Sequence, residues 1–186
     1  AEIFKARGYK TSIRQTVSGA CATHEVDMLA KKAGECLAAE VKFHNALGTK
    51  SDLKVALYVH ARFLDIIDRA REKGVCEVDR GLLITNTKFT HEATRYADCV
   101  GLSMISWSYP QEGNLQDLIE ETKVHPLTAL TTLTNAQKSR LLDSGTVLCK
   151  ALQTNPEIME RVGVKGSKVQ AVLAESAILC QPGRGV

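Results

Sequence analysis

The chain has 186 residues, 44% of them hydrophobic, enough to bury one domain-sized core and a small appendage. Its 24 basic and 21 acidic residues leave a formal charge of +3, which permits a polyanionic partner without demanding one. No apolar run is long enough to span a bilayer, and none of the six cysteines stands in CxxC spacing, which argues against structural zinc and for a reducing, cytoplasmic setting.

Charge is not evenly spread. Up to Pro126 there are 17 basic and 17 acidic residues, and beyond it 7 against 4, so the whole excess sits in the last third. The chain opens without methionine on Ala1-Glu-Ile-Phe-Lys-Ala-Arg-Gly8, which predicts a helix with Ile3 and Phe4 buried and Gly8 as its stop. It reads as a fragment of a longer protein. Tyr9 to Val17 predicts a short strand, and Ser18-Gly19-Ala20 a turn.

Two strands follow, over residues 24–31 and 36–43, joined by a turn at Lys32, Ala33 and Gly34. Alternation puts Glu25 and Asp27 on one face of the first, and Glu40 and Lys42 on one face of the second. A hairpin brings the two polar pairs together. Apolar Leu37, Ala38, Ala39, Val41 and Phe43 flank Glu40, which marks an interior strand, where a charge needs a partner or a metal. Paired carboxylates with an amine beside them suit a hard divalent cation. The plainer reading is a solvated sheet face.

From Ser51 to Lys73 the period becomes helical, with Leu53, Ala56, Leu57, His60, Phe63, Leu64, Ile67 and Ala70 as the apolar stripe, Thr49 or Ser51 as cap and Gly74 as stop. His60 reads as a satisfied, half-buried histidine. Gly81 to Asn86 predicts a buried strand, Thr90 or His91 to Cys99 a helix closed by Gly101, and Leu102 to Trp107 another interior strand. A short helix through Leu115, Leu118 and Ile119 ends near Lys123. Strand and helix alternating in this way mean parallel crossovers, so the sheet is mixed. Thr85, Asn86, Lys88 and Thr90 gather past a strand end, where open sheets bind ligands, and Lys88 is a candidate phosphate contact. Trp107 and Tyr109 either close the core against a helix or stack on a base. His125-Pro126 marks a boundary, after which only helices are expected: 134–142, 148–152, 156–162 and 167–179.

The order helix, strand, Asp strand, ExK strand, helix, strand, helix, strand resembles the PD-(D/E)xK nuclease superfamily, in particular the Mrr-like restriction endonuclease domain. It is also similar to archaeal Holliday-junction resolvases. Gly8-Tyr9, Gly19, Glu25-Val-Asp27, Glu40-Val-Lys42, Thr85-Asn86 and Phe89-Thr90 carry the resemblance, over residues 1–122. It implies an α/β fold, a restriction-endonuclease-like mixed sheet flanked by helices. It also implies Mg²⁺- or Mn²⁺-dependent hydrolysis of DNA phosphodiester bonds, leaving a 5′-phosphate. Asp27, Glu40 and the carbonyl of Val41 would hold the metal, and Lys42 would assist the attacking water. Glu2, the one acidic residue of the first helix, is carried over as a further catalytic residue. Glu25 is either an extra metal or water ligand or a solvated neighbour. His44 follows Lys42 on the same strand face.

The last third resembles helix-hairpin-helix DNA-binding modules through Val162-Gly163-Val164-Lys165-Gly166-Ser167-Lys168-Val169. A weaker copy lies at Leu141 to Val147, with Thr146 where an apolar residue is usual. Glycine turns and the next helix's N-terminus would cradle a phosphate without reading a base, with Lys165 and Lys168 adding charge. The alternative is a small helical cap joined by glycine turns.

The expectation is therefore a nuclease-like domain at 1–124 and a small all-helical DNA-binding domain at 127–181. The partner is DNA and no membrane. The family often works as a symmetric dimer, since two strands need two active sites. The alternative function is a non-catalytic nucleic-acid-binding or effector domain, regulated by a nucleotide-binding domain missing from the N-terminus.

Overall fold

A computed structural model describes residues 1–46, 48–73 and 78–180, without the side chains of 70–73. It divides into two compact units, Ala1–Leu118 and Ile119–Val186.

The first unit is built on a mixed sheet. Helix α1 (Glu2–Ala6) precedes β1 (Lys10–Ser18), β2 (Thr23–Lys32) and β3 (Glu35–Lys42), and after α2 (Leu53–Lys73) come β5 (Arg80–Thr85), α3 (His91–Val100) and β7 (Ser103–Ile105). The short strands β4 (Lys50–Ser51) and β6 (Lys88–Phe89) pair separately in parallel. The main sheet runs β1-β2-β3-β5-β7, its first two pairings antiparallel and its last two parallel. Strand β3 is thus interior, as its apolar flanks predict. Ala33 and Gly34 turn the β2–β3 hairpin with φ of 44° and 86°.

Side chains alternate between two cores. Cys36, Ala38, Leu83 and Met104 face α2 and α3, with Ala56, Val59, Phe63, Ile66, Ala93 and Ala97. Leu37, Ala39 and Leu82 face the other way, with Phe4 of α1. Of the predicted α2 stripe Ala56 and Phe63 are buried, with Val59 and Ile66 beside them, whereas Leu57 and Leu64 are exposed. Apolar residues stand on two sides of this helix, and the sheet takes only one. Asp52 caps it through Val55 N at 3.1 Å, in place of Thr49 or Ser51. The predicted stop, Gly74, lies outside the described residues. Thr90 caps α3 and Gly101 ends it in the left-handed conformation, as expected.

Helix α4 (Leu115–Thr122) carries the division between units, earlier than the expected boundary after residue 124. Its start is tied to the first unit by Leu115 N donating to Ser106 O at 2.9 Å.

The second unit holds α5 (Asn135–Asp143), α6 (Cys149–Thr154), α7 (Glu157–Arg161) and α8 (Ser167–Cys180). They enclose a core of Leu127, Leu130, Leu141, Leu152, Met159, Val164 and Val172. Two hairpins in it share one geometry at an offset of 18 residues. Gly145 N donates to Leu142 O at 2.9 Å and Thr146 N to Leu141 O at 2.9 Å, while Gly163 N donates to Glu160 O at 3.0 Å and Val164 N to Met159 O at 2.9 Å. Gly145 and Gly163 have φ of 85° and 82°. Thr146 fits where its counterpart is Val164 because its hydroxyl is 3.3 Å from Ser144 Oγ.

Candidate functional site

The ladder between β2 and β3 ends at Met28–Ala39. Beyond it the strands are held by a side chain instead of a backbone pair. Asp27 Oδ2 accepts from Val41 N at 2.7 Å. Strict alternation breaks here: Met28 and Ala30 lie in the core with Phe4, whereas Val26 lies in the core with α2. The expectation that Glu25 and Asp27 simply share a face therefore fails, because the β1–β2 register passes over Arg14, whose φ is 50°, and Asp27.

Glu40 lies two residues past Ala38, on the α2 side, and its side chain is only 8% exposed. A buried carboxylate needs compensation, and both of its oxygens have it. Lys42 Nζ is 2.6 Å from Oε1 and Arg62 Nη1 is 3.0 Å from Oε2. Arg62 also donates to Tyr58 Oη and to Glu25 O. The Tyr58 ring lies under both cations, 5.5 Å from Lys42 Nζ and 5.1 Å from the Arg62 guanidinium carbon. Asp27, Glu40 and Lys42 are thus gathered on one strand end, with Val41 between them.

The other candidates are placed differently. Glu2 pairs with Lys5 at 2.7 Å, on a helix packed through Phe4 against the opposite sheet face, so its catalytic role is corrected. Glu25 is exposed and contributes its backbone carbonyl to Arg62. His44 is structural: its Nε2 is 3.0 Å from Ser51 Oγ, and its backbone exchanges two hydrogen bonds with the Asn86 amide at 2.8 and 2.9 Å. His60 is satisfied by Tyr96 Oη at 2.7 Å. Tyr109 packs on Phe89 and donates to Asp98 at 2.8 Å, whereas Trp107 is 46% exposed and closes no core. Lys88 is exposed on β6.

Sequence reasoning missed Tyr58, Arg62 and Asp65. They lie at i, i+4 and i+7 on α2, a polar stripe beside the buried one, and that spacing was the available signal. Asp65 organises the turn before β2. It accepts from Cys21 N at 2.7 Å, Ala22 N at 3.1 Å and meets His24 Nε2 at 2.7 Å. The His24 bond, then the Cys21 amide, hold its carboxyl down at about 2. Gly19 is required there, since a Cβ would stand 1.9 Å from Asp65 Oδ2.

In the second unit, Gly163 and Gly166 make the turn into α8 with φ of 82° and 60°. The Gly163 amide is already spent on Glu160 O, so it is no phosphate donor. Of the first-turn amides of α8, Val169 N is spent on Gly166 O at 3.1 Å, which leaves those of Ser167 and Lys168 as the candidate donors there. Lys165 is exposed. Lys168 Nζ is not free but donates to Gln137 Oε1 at 2.9 Å. Cys149 is buried and its thiol is pushed up to about 12, first by burial, so it is no nucleophile.

No group of three His, Cys, Asp or Glu side chains arranged to hold a metal is found among the described residues. Magnesium nevertheless commonly takes one or two carboxylates, with waters and substrate phosphates completing its shell. Asp27 and Glu40 supply two hard oxygen donors on either side of the Val41 amide. Such an ion would share these carboxylate oxygens with the Val41 amide, Lys42 and Arg62, which hold three of the four. No described helix is long and apolar enough to cross a membrane.

Residues 125–180 match a family described as AF1548-like, C-terminal. An uncharacterized protein of Archaeoglobus fulgidus is 32% identical over 177 residues, which cover 95% of this chain and 97% of that protein. The crystal structure of a protein of unknown function, AF1548, matches with a TM-score of 0.69 at 29% identity, over 96% of this chain and 98% of the other. The chain thus belongs to the AF1548-like family.

Proposed function

We propose that the first unit is a metal-dependent nuclease that hydrolyses DNA phosphodiester bonds. The observation that carries this is the convergence at the β3 end: Asp27 fastened to the Val41 amide, and Lys42 on the buried Glu40. Asp27 and Glu40 would hold Mg²⁺ or Mn²⁺, which when bound polarises a phosphoryl oxygen and lowers the pKa of a bound water. Lys42 would orient the attacking water and steady charge on the phosphate. Its ring contact with Tyr58 keeps the ammonium close to Glu40 without a second carboxylate. In the second unit, the twofold hairpin would grip backbone phosphates through the α8 amides and Lys165.

One observation favours a second reading. Both Glu40 oxygens are already neutralised by Lys42 and Arg62, which also suits a nucleic-acid-binding or effector domain that keeps the fold without cleavage.

Calorimetric titration with Mn²⁺ and Mg²⁺, followed by plasmid nicking, separates them. The nuclease reading expects metal heat and nicking in the wild type, and neither in Asp27→Ala. An absence of both in the wild type, with salt-dependent DNA binding retained, leaves the binding reading.

A further inference from the structure

Beyond the carboxylate site lies a cleft that its chemistry does not use. Past the ends of β3 and β5 lies a cavity of about 380 Å³, lined by Thr49, Lys50, Asn86, Thr87, Lys88 and Trp107. It adjoins the site through the register of the parallel strands. Lys42 pairs with Thr85, and Thr85 Oγ1 donates to Lys42 O at 2.8 Å. His44 is clamped by the Asn86 amide at 2.8 and 2.9 Å.

Two features of the cleft suit a ligand. The first is charge. Lys50 and Lys88 are register partners in the parallel pair β4–β6. Their neighbours Ser51 and Phe89 are buried, so both lysines point outward, into the cleft lining. Like charges side by side on adjacent strands repel, and neither lysine has a carboxylate partner among the described residues. An anion between them removes the repulsion.

The second is the ring of Trp107, which is 46% exposed. The backbone around it is tied by two hydrogen bonds. Ser106 N donates to Tyr109 O at 2.7 Å, closing a tight turn, and Trp107 N donates to Thr87 O at 3.2 Å. These bonds fix the backbone that carries the indole beside the loop leading into Lys88. An exposed aromatic face beside paired cations suits a base with its flanking phosphates. A base inside a duplex has no free face to offer, so the strand must be unpaired where it meets Trp107.

We infer that this cleft is a subsite for single-stranded nucleic acid, in which a base stacks on Trp107 and the adjoining phosphates lie between Lys50 and Lys88. The inference rests on the reading of the neighbouring site as one that handles nucleic acid. It gives that site a substrate class, an unpaired or frayed strand.

Trp107 is the only tryptophan of the chain, so its emission reports this cleft alone. The whole chain, in chelator-containing buffer that prevents cleavage, is titrated with an oligothymidylate, a blunt duplex and inorganic phosphate. The single strand is expected to quench the emission, and the blunt duplex and phosphate to leave it unchanged. In the Lys50→Gln/Lys88→Gln double variant, binding should weaken at least roughly tenfold, and the log–log salt slope should fall by about 0.7 for each phosphate that the lysines no longer neutralise. Trp107→Ala, followed by anisotropy of a labelled oligonucleotide, should weaken binding by roughly tenfold as well. Thermal melts that match the wild type show that these surface changes leave the fold intact. No quenching at saturation, quenching that survives the double lysine variant, or equal quenching by the blunt duplex overturns the inference. Plasmid nicking is read separately. Nicking without quenching sinks the subsite and leaves the nuclease, and quenching without nicking does the reverse.

Discussion

Asp27 accepts the amide proton of Val41 at 2.7 Å, just where the backbone ladder between β2 and β3 has stopped. One carboxylate thus does two things: it closes the splayed end of the hairpin and stands beside Glu40. The two roles separate by substitution. Asp27→Asn keeps an acceptor for Val41 N but loses the charge. It should unfold within about 0.5 kcal/mol of the wild type while losing divalent-cation binding, whereas Asp27→Ala should lose both the binding and about 1–2 kcal/mol. Urea unfolding beside calorimetric metal titration reads the two effects. Metal heat retained in Asp27→Asn would remove Asp27 from the site.

Arg62 holds Glu40 Oε2 at 3.0 Å and also donates to Tyr58 Oη and Glu25 O. If it substitutes for a cation, it competes with one. Arg62→Met should therefore bind Mn²⁺ more tightly, by several-fold, while costing roughly 2–4 kcal/mol of stability without metal, because Glu40 is left with Lys42 alone. Added Mn²⁺ should restore part of that loss by mass action. Thermal melts with and without metal test this. A variant that melts lower and gains nothing from metal shows that Arg62 is only a structural partner.

Gly81 begins the buried run of β5, and a Cβ there would lie 2.0 Å from the Phe63 ring and 2.7 Å from Phe63 Cβ. Helix α2 can approach the sheet this closely only over a glycine. Gly81→Ala should cost about 3 kcal/mol by overpacking. The cost should be smaller in a Phe63→Ala background, so that the two changes are non-additive in a double-mutant cycle. Full additivity would mean that the helix simply shifts.

How far the sequence reaches follows from where each determinant lies. The order of strands and helices in the first unit, and the interior position of Glu40, are legible because period and apolar flanks are local. Arg62 was not, because its partner Glu40 is 22 residues away, and the spacing of Tyr58, Arg62 and Asp65 marks a polar stripe without saying which of them turns inward. The α2 stripe was rotated because apolar residues stand on both sides of that helix and only the sheet decides between them. Strands β4 and β6 are two residues each, too short to carry a period. Glu2 was misplaced for a related reason: which sheet face α1 covers is a tertiary choice. The second hairpin of the C-terminal unit was legible through Gly145, and Thr146 departed from pattern without disturbing the turn because Ser144 satisfies its hydroxyl.

Glu175 ties the loop at Thr131 and Thr132 to α8. Its Oε1 accepts from Thr131 N and Oγ1, both at 2.6 Å, and its Oε2 from Thr132 N at 2.9 Å and Oγ1 at 2.6 Å. Partial burial alone would raise its pKa, but the threonine hydroxyls and then their amides outweigh it and bring the carboxyl from the usual 4.5 down to about 2. A carboxyl depressed in the folded state stabilises above its unfolded value and loses that contribution as pH falls through the folded one. The contribution should therefore be complete above about pH 4.5 and fade towards pH 2. Glu175→Gln offers one acceptor oxygen where four donors converge. Allowing for the solvent that reaches the group, it should cost about 1–2 kcal/mol at neutral pH, and the gap to the wild type should close as the pH is lowered through that window. Hydrogen exchange at the Thr131 and Thr132 amides reads this locally, whatever the first unit does. Faster exchange in Glu175→Gln at neutral pH, with a gap to the wild type that narrows below about pH 4.5 and closes towards pH 2 after correction for intrinsic rates, is the expected result. A gap that does not change with pH would show that the carboxylate's charge is not what holds the loop.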